Sequence, residues 1–137
     1  MSVEKNKENA RRALGIFTDP ALVPKVFAPE YVYHNPEGDL RGPAAFQDYL
    51  KTNFGAFTDV DVREIHVLGE GDLVATFLSF DGVMSKELMG MPTTGKRFTM
   101  EACMLTRHRE DGMQVEAWPF MDTAEFYKQL GLAAPVG

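Results

Sequence analysis

The chain has 137 residues; 14 are Lys or Arg and 20 are Asp or Glu, giving a formal net charge of −6. That length reads as one domain, 1–137, large enough to bury a core. The acidic balance excludes the basic face that a nucleic-acid partner needs, no basic amphipathic stretch suits an anionic membrane, and no apolar run reaches the length of a membrane span. The lone Cys103 excludes an internal disulfide and a cysteine zinc cluster. It fits a reducing compartment. With polar residues over 1–12 in place of a secretory signal, the expected location is the cytoplasm. The apolar content is soft and aromatic: eight Met, ten Phe, four Tyr and one Trp.

Residues 3–17 carry Ala10, Ala13, Leu14 and Phe17 at helical spacing behind Ser2 as an N-cap. Asp19-Pro20 opens a short second helix that Pro24 limits. Residues 30–34 form a short strand closed by Asn35-Pro36. Gly42-Pro43 starts a helix with Phe46, Tyr49, Leu50 and Phe54 along one face. The period then changes: 60–68 and 73–84 read as strands around a Glu70-Gly71-Asp72 turn. A Gly/Pro/Thr loop over 90–95 precedes strands over 98–109 and 113–121, joined at Asp111-Gly112 as a two-residue hairpin turn. Asp122 and Glu125 form a capping box for a last helix ending at Gly131. Helices followed by a meander of long strands give an α+β fold with helices on one face of an antiparallel sheet.

A two-residue turn at Asp111-Gly112 sets the register of the last hairpin. One face pairs Ala102 with Met121, Met104 with Pro119 and Thr106 with Ala117, and is nearly free of charge. The other pairs Cys103 with Phe120, Leu105 with Trp118 and Arg107 with Glu116. Both faces therefore need cover. Helices cover one, and a second copy of the chain is the natural cover for the other, which predicts a homodimer. The alternative is that Trp118 and Phe120 pack under the chain's own loop or helix.

Four segments then carry a family resemblance: Tyr31-Val32-Tyr33-His34-Asn35-Pro36; Arg41-Gly42-Pro43-Ala44-Ala45-Phe46; the stretch 90–98; and Asp111-Gly112 through Trp118, Asp122 and Gln129-Leu130-Gly131. In order and spacing the chain resembles the SnoaL-like polyketide cyclases of the nuclear transport factor two-like superfamily. The resemblance implies a strongly curved sheet folded into a cone. It also implies N-terminal helices on the concave face, a short C-terminal helix, an apolar pocket and a homo-oligomer. For cyclases of that family it implies a cofactor-free intramolecular aldol closure, begun by a carboxylate that removes a proton next to a carbonyl. The family's catalytic Asp falls on Pro119 here and its partner His on Met104, so an apolar residue stands at each position. The related epoxide hydrolases have an Arg/Asp pair where this chain has Phe77-Leu78-Ser79-Phe80. Their water-holding Tyr and Asn match Tyr33 and Asn35 in spacing.

Of the remaining polar residues, His34 is the candidate base, with Tyr33 and Asn35 holding water or an oxyanion. The plainer reading gives His34 and Asn35 to the turn before Pro36. Asp122 reads as a helix cap rather than an acid, Glu101 opposite it as a solvated charge, and Cys103 as a small buried hydrophobe. His34, His66 and His108 lack a ligand spacing, so neither metal nor cofactor is expected. Met104, Thr106, Pro119, Met121 and Ala102 are the expected binding wall for a small hydrophobic molecule, with the Met residues at 84, 89, 91 and 100 as plastic filler or adaptable wall. The function is then a cyclase, isomerase or hydrolase acting on a small apolar carbonyl compound. The alternative is a non-catalytic binding or dimeric assembly module of the same fold.

Overall fold

The computed structural model describes residues 2–87, 93 and 95–131. Most of the expected 90–95 loop, with Met89 and Met91, lies outside the described residues. Helix α1 spans Val3–Ala13. Ser2 caps it by accepting the Lys5 N–H at 3.2 Å, and Glu4 and Arg11/Arg12 complement its dipole at either end. The helical run continues to Phe17 as a 3₁₀ turn, Leu14–Phe17. The Asp19 carboxylate accepts the Ala21 N–H and opens a second 3₁₀ turn, Pro20–Leu22, which leads into α2, Val23–Val26. Pro24 lies in the first turn of α2, where its missing N–H leaves no bond unmade.

Strand β1 runs over Phe27–Asn35, longer than the five residues expected, and folds back on β2, Gly38–Arg41. β2 is not among the expected strands, because a short edge of Gly-Asp-Leu-Arg has no alternation of its own. Helix α3, Pro43–Phe54, begins at the expected Pro43, behind Gly42 at φ +87°. Strands β3 (Phe57–Glu70), β4 (Leu73–Met84), β5 (Arg97–His108) and β6 (Gln114–Met121) follow, then α4, Thr123–Leu130.

The six strands form one curved, unclosed sheet in the order β2-β1-β6-β5-β4-β3. Every neighbouring pair is antiparallel except β1 and β6, which are parallel and set Tyr33 beside Ala117. The β5–β6 register is the expected one from Ala102–Met121 through Arg107–Glu116. The turn behind it is different. Gly112 N–H donates to the Arg109 carbonyl, Arg109 pairs with Met113, and Gly112 sits at φ +89°. That is a three-residue loop with glycine in the left-handed position. A register shift between Arg107 and His108 absorbs the extra residue, so the pairs beyond it are unchanged.

The inner face of the sheet carries Val74, Thr76, Leu78 and Phe80 of β4 opposite Thr106, Met104, Ala102 and Met100 of β5. α1, the 3₁₀ turn after it and α3 cover this face. Two buried clusters meet there, and Phe17, Phe54 and Met104 pack against both. α4 packs on β5, where the Gln129 side chain accepts the Thr99 N–H at 2.7 Å and donates to the Thr99 carbonyl at 2.9 Å. That amide takes the place of a neighbouring strand beyond the last β6 pair.

Candidate functional site

Strand alternation sorts the candidate residues between two faces. Tyr31 and Tyr33, two apart on β1, turn inward and are buried. Between the helices and the inner face lies a cavity of about 70 Å³. Its wall is almost wholly hydrocarbon: Phe17, Phe27, Phe46, Phe54 and Phe80 stand against Met100, Met104 and Met121. Ala102, Thr106 and Tyr33 line it as well. Pro119 is buried and paired with Met104 but is not part of the lining. It follows directly after Trp118, past the last β1–β6 pair at Ala117, where β6 has become an edge and tolerates a residue without an N–H.

Four polar side chains reach this space: Tyr31, Thr76, Thr106 and Gln114, beside Tyr33. The Tyr31 and Thr76 hydroxyls are buried without a hydrogen-bond partner among the described residues. Burial pushes the Tyr31 and Tyr33 phenols well above their ordinary pKa, so both keep their protons. The Tyr33 ring packs beside that of Tyr49, their centroids 5.6 Å apart, which adds to the rise of the Tyr33 pKa. His108 is 2% exposed; its Nε2 lies 2.8 Å from the Thr106 hydroxyl and its Nδ1 2.8 Å from the Gly112 carbonyl. Desolvation lowers its pKa, which favours the neutral ring. Tyr31, Thr76 and His108 are not among the expected site residues; His108 enters the sequence only as a histidine without ligand spacing. The signal that marks them is the period of two: each is two residues from an inward-facing neighbour.

His34 and Asn35 are not among the lining residues. His34 falls on the outer face, between inward Tyr33 and the end of the strand, so the expected cluster is split by the pleat. Its Nδ1 lies 3.0 Å from Asp39 Oδ1 and its Nε2 2.9 Å from Glu116 Oε2, and the ring stacks on Trp118 at 5.0 Å. Two carboxylates ask for two N–H donors, which raises the His34 pKa, with the Glu116 hydrogen bond the largest cause. Arg107 continues the network to Glu116 at 3.2 Å and Asp72 at 2.8 Å, above the Trp118 ring. Around it the outer face is apolar: Phe120 is 61% exposed, Phe77 42% and Leu68 62%. Cys103 pairs with Phe120 on this face, and partial burial raises its thiol pKa.

Asp122 accepts the Glu125 N–H at 3.1 Å and caps α4. The reciprocal half of the capping box is replaced: the Glu125 carboxylate accepts from Gln129. No helix among the described residues is long and apolar enough to cross a membrane.

A family model for SnoaL-like polyketide cyclases matches residues 10–130, the stretch that builds both the helical cover and the sheet. The chain belongs to the SnoaL-like polyketide cyclase family. This SnoaL-like chain is 35% identical over 105 residues to aklanonic acid methyl ester cyclase DnrD of Streptomyces peucetius, across 75% of its own length and 70% of that protein's. The same identity to DauD, the cyclase of that name from Streptomyces sp. (strain C5), covers 63% of DauD. Among solved structures it superposes on TsrD from Streptomyces laurentii with a TM-score of 0.84 at 22% identity, covering 96% of this chain and 98% of that one. IdmH from Streptomyces antibioticus gives 0.79 at 26% identity, covering 93% and 99%.

Proposed function

We propose that this SnoaL-like chain takes a flat, mostly apolar carbonyl compound into the cavity and closes or isomerises it without a cofactor. The observation that carries this reading is the pair of buried hydroxyls of Tyr31 and Thr76, unpartnered among the described residues, on side chains that line a mostly hydrocarbon wall. A protein that leaves buried hydroxyls unmatched loses about 1–3 kcal/mol for each, and a ligand oxygen restores the bond. A phenol that stays protonated donates to a carbonyl oxygen and steadies charge that develops there, in a site where little water competes. Tyr31 is the proposed donor. Tyr33, Ala102, Met104, Thr106 and Met121 are the proposed binding wall. At about 70 Å³ the space is well below the ~300 Å³ of a typical ligand pocket, so binding requires the Met side chains to move aside.

A second reading, a binding module that has lost its chemistry, is favoured by one observation: among the described residues the lining contains no carboxylate and no imidazole. Aklanonic acid methyl ester, named in the curated relatives, separates the two. The first reading expects purified protein to consume it, with Tyr31→Phe lowering turnover at least tenfold. Binding without turnover establishes the second. Failure to bind this compound and smaller naphthyl ketones overturns both.

A further inference from the structure

Behind Thr106, one of the residues that line the cavity, runs a hydrogen-bond chain of fixed direction. It starts at a backbone carbonyl, that of Gly112, which has no proton to give. His108 Nδ1, 2.8 Å away, must therefore carry the hydrogen. The ring is buried and neutral, so Nε2 is a bare lone pair that has to accept. The Thr106 hydroxyl, at 2.8 Å, is the donor facing it. The same hydroxyl has a longer option, the Val74 carbonyl at 3.3 Å, but taking it leaves Nε2 buried and unpaired. A hydroxyl has one proton, and here it is committed. Thr106 is one of the residues that line the cavity, and its Oγ1 has lone pairs alone left to offer a further partner. Tyr31, on β1 two strands from Thr106, is the opposite case: a protonated hydroxyl with no acceptor among the described residues.

We infer that Thr106 Oγ1 accepts a hydrogen bond from a ligand hydroxyl, phenolic or enolic, and that His108 is the positioning residue that makes Thr106 an acceptor. The proposal rests on the reading above that the cavity takes a flat oxygenated compound, and it narrows the class. The ligand carries a hydroxyl for Thr106 and a carbonyl for Tyr31, as an enolised dicarbonyl or a hydroxyaryl ketone does. A compound with acceptors only meets lone pairs at Thr106.

Two probes of similar size test it, 2-naphthol as donor and 2-acetylnaphthalene as acceptor only, each titrated against the intact protein by calorimetry. The readout is the ratio of their affinities. Thr106→Val is expected to shift that ratio against 2-naphthol by about fivefold, the worth of one hydrogen bond, while Thr106→Ser preserves it. His108→Leu takes away the acceptor 2.8 Å from Thr106 and leaves the hydroxyl only the longer Val74 contact, so its proton is shared with the cavity and the ratio is expected to shift the same way, by less than in Thr106→Val. Should that variant fail to fold, the Thr106 pair decides alone. A ratio unchanged in Thr106→Val overturns the inference and leaves the cavity reading standing. A ratio that moves in favour of 2-naphthol shows Thr106 to be a donor and also overturns it. If neither probe binds the wild-type protein, the cavity reading fails and takes the inference with it.

Discussion

His34 and His108 are embedded in opposite ways, and the difference is readable in pH. His34 faces two carboxylates, which hold its pKa above the ordinary value. Its contribution to stability is present in full below about pH 6.5, the unfolded value, and is lost as pH rises through the folded-state value. His108 is desolvated, and its pKa is lowered. The fold favours its neutral form, so its contribution is present above about pH 6.5 and lost as pH falls toward the folded-state value. Thermal melts between pH 5.5 and 8 are therefore expected to show His34→Gln removing a decline on the alkaline side. His108→Gln is expected to remove one on the acid side. Slopes that do not change in these variants refute the assignment. The same two residues show how far the sequence could be read. Tyr33 and His34 were adjacent in the chain and so entered one candidate cluster, yet a strand sends neighbours to opposite faces. His108 looked isolated because its partners, Thr106 and the Gly112 carbonyl, converge only when the hairpin closes.

At the scale of elements, local chemistry was legible wherever it was encoded by a few adjacent residues. Ser2, Pro43 and Asp122 mark helix starts where expected, and β4 has the expected ends, because caps and alternation act over short range. The hairpin was half legible: Asp111-Gly112 announced a turn, but the loop length and the compensating bulge depend on how β5 and β6 twist together. Gly112 is where this can be tested. Its φ of +89° disfavours any side chain, and a Cβ there would stand 3.1 Å from Lys5 Cγ, which can move aside. Gly112→Ala is thus expected to cost about 1–2 kcal/mol, nearly all of it backbone strain, seen as a lower urea midpoint with an unchanged slope. At the far end of the hairpin, Asp122→Ala is expected to cost about 1 kcal/mol and Asp122→Asn almost nothing. A large loss in Asp122→Asn would give that carboxylate a role beyond capping.

For the whole molecule, the curved α+β sheet and its helical cover followed from the order of elements and from the resemblance, while the parallel β1–β6 contact left no trace in local pattern. The outer face remains the place where a second copy is proposed to sit. Leu68, Phe77 and Phe120 are exposed there around Trp118, and a soluble chain rarely leaves such a patch uncovered. Trp118→Ser with Phe120→Lys is expected to move the sedimentation coefficient of the wild-type protein from dimer toward monomer. A wild-type protein that sediments as a monomer at high concentration removes the proposal.

The parallel contact also has a kinetic consequence. Strand β1 ends at Asn35 and its partner β6 begins only at Gln114, so the two can pair only after nearly everything between them has been synthesised and has closed a long loop. Tyr31, Tyr33 and the helices packed on them wait, uncovered, for the last strand to arrive. The β3–β4–β5 meander, by contrast, is built of neighbours and can form first. The cavity wall is therefore expected to be the last part of the core to solidify during refolding. Any nascent chain stalled before β6 would expose its most aromatic surface to chaperones.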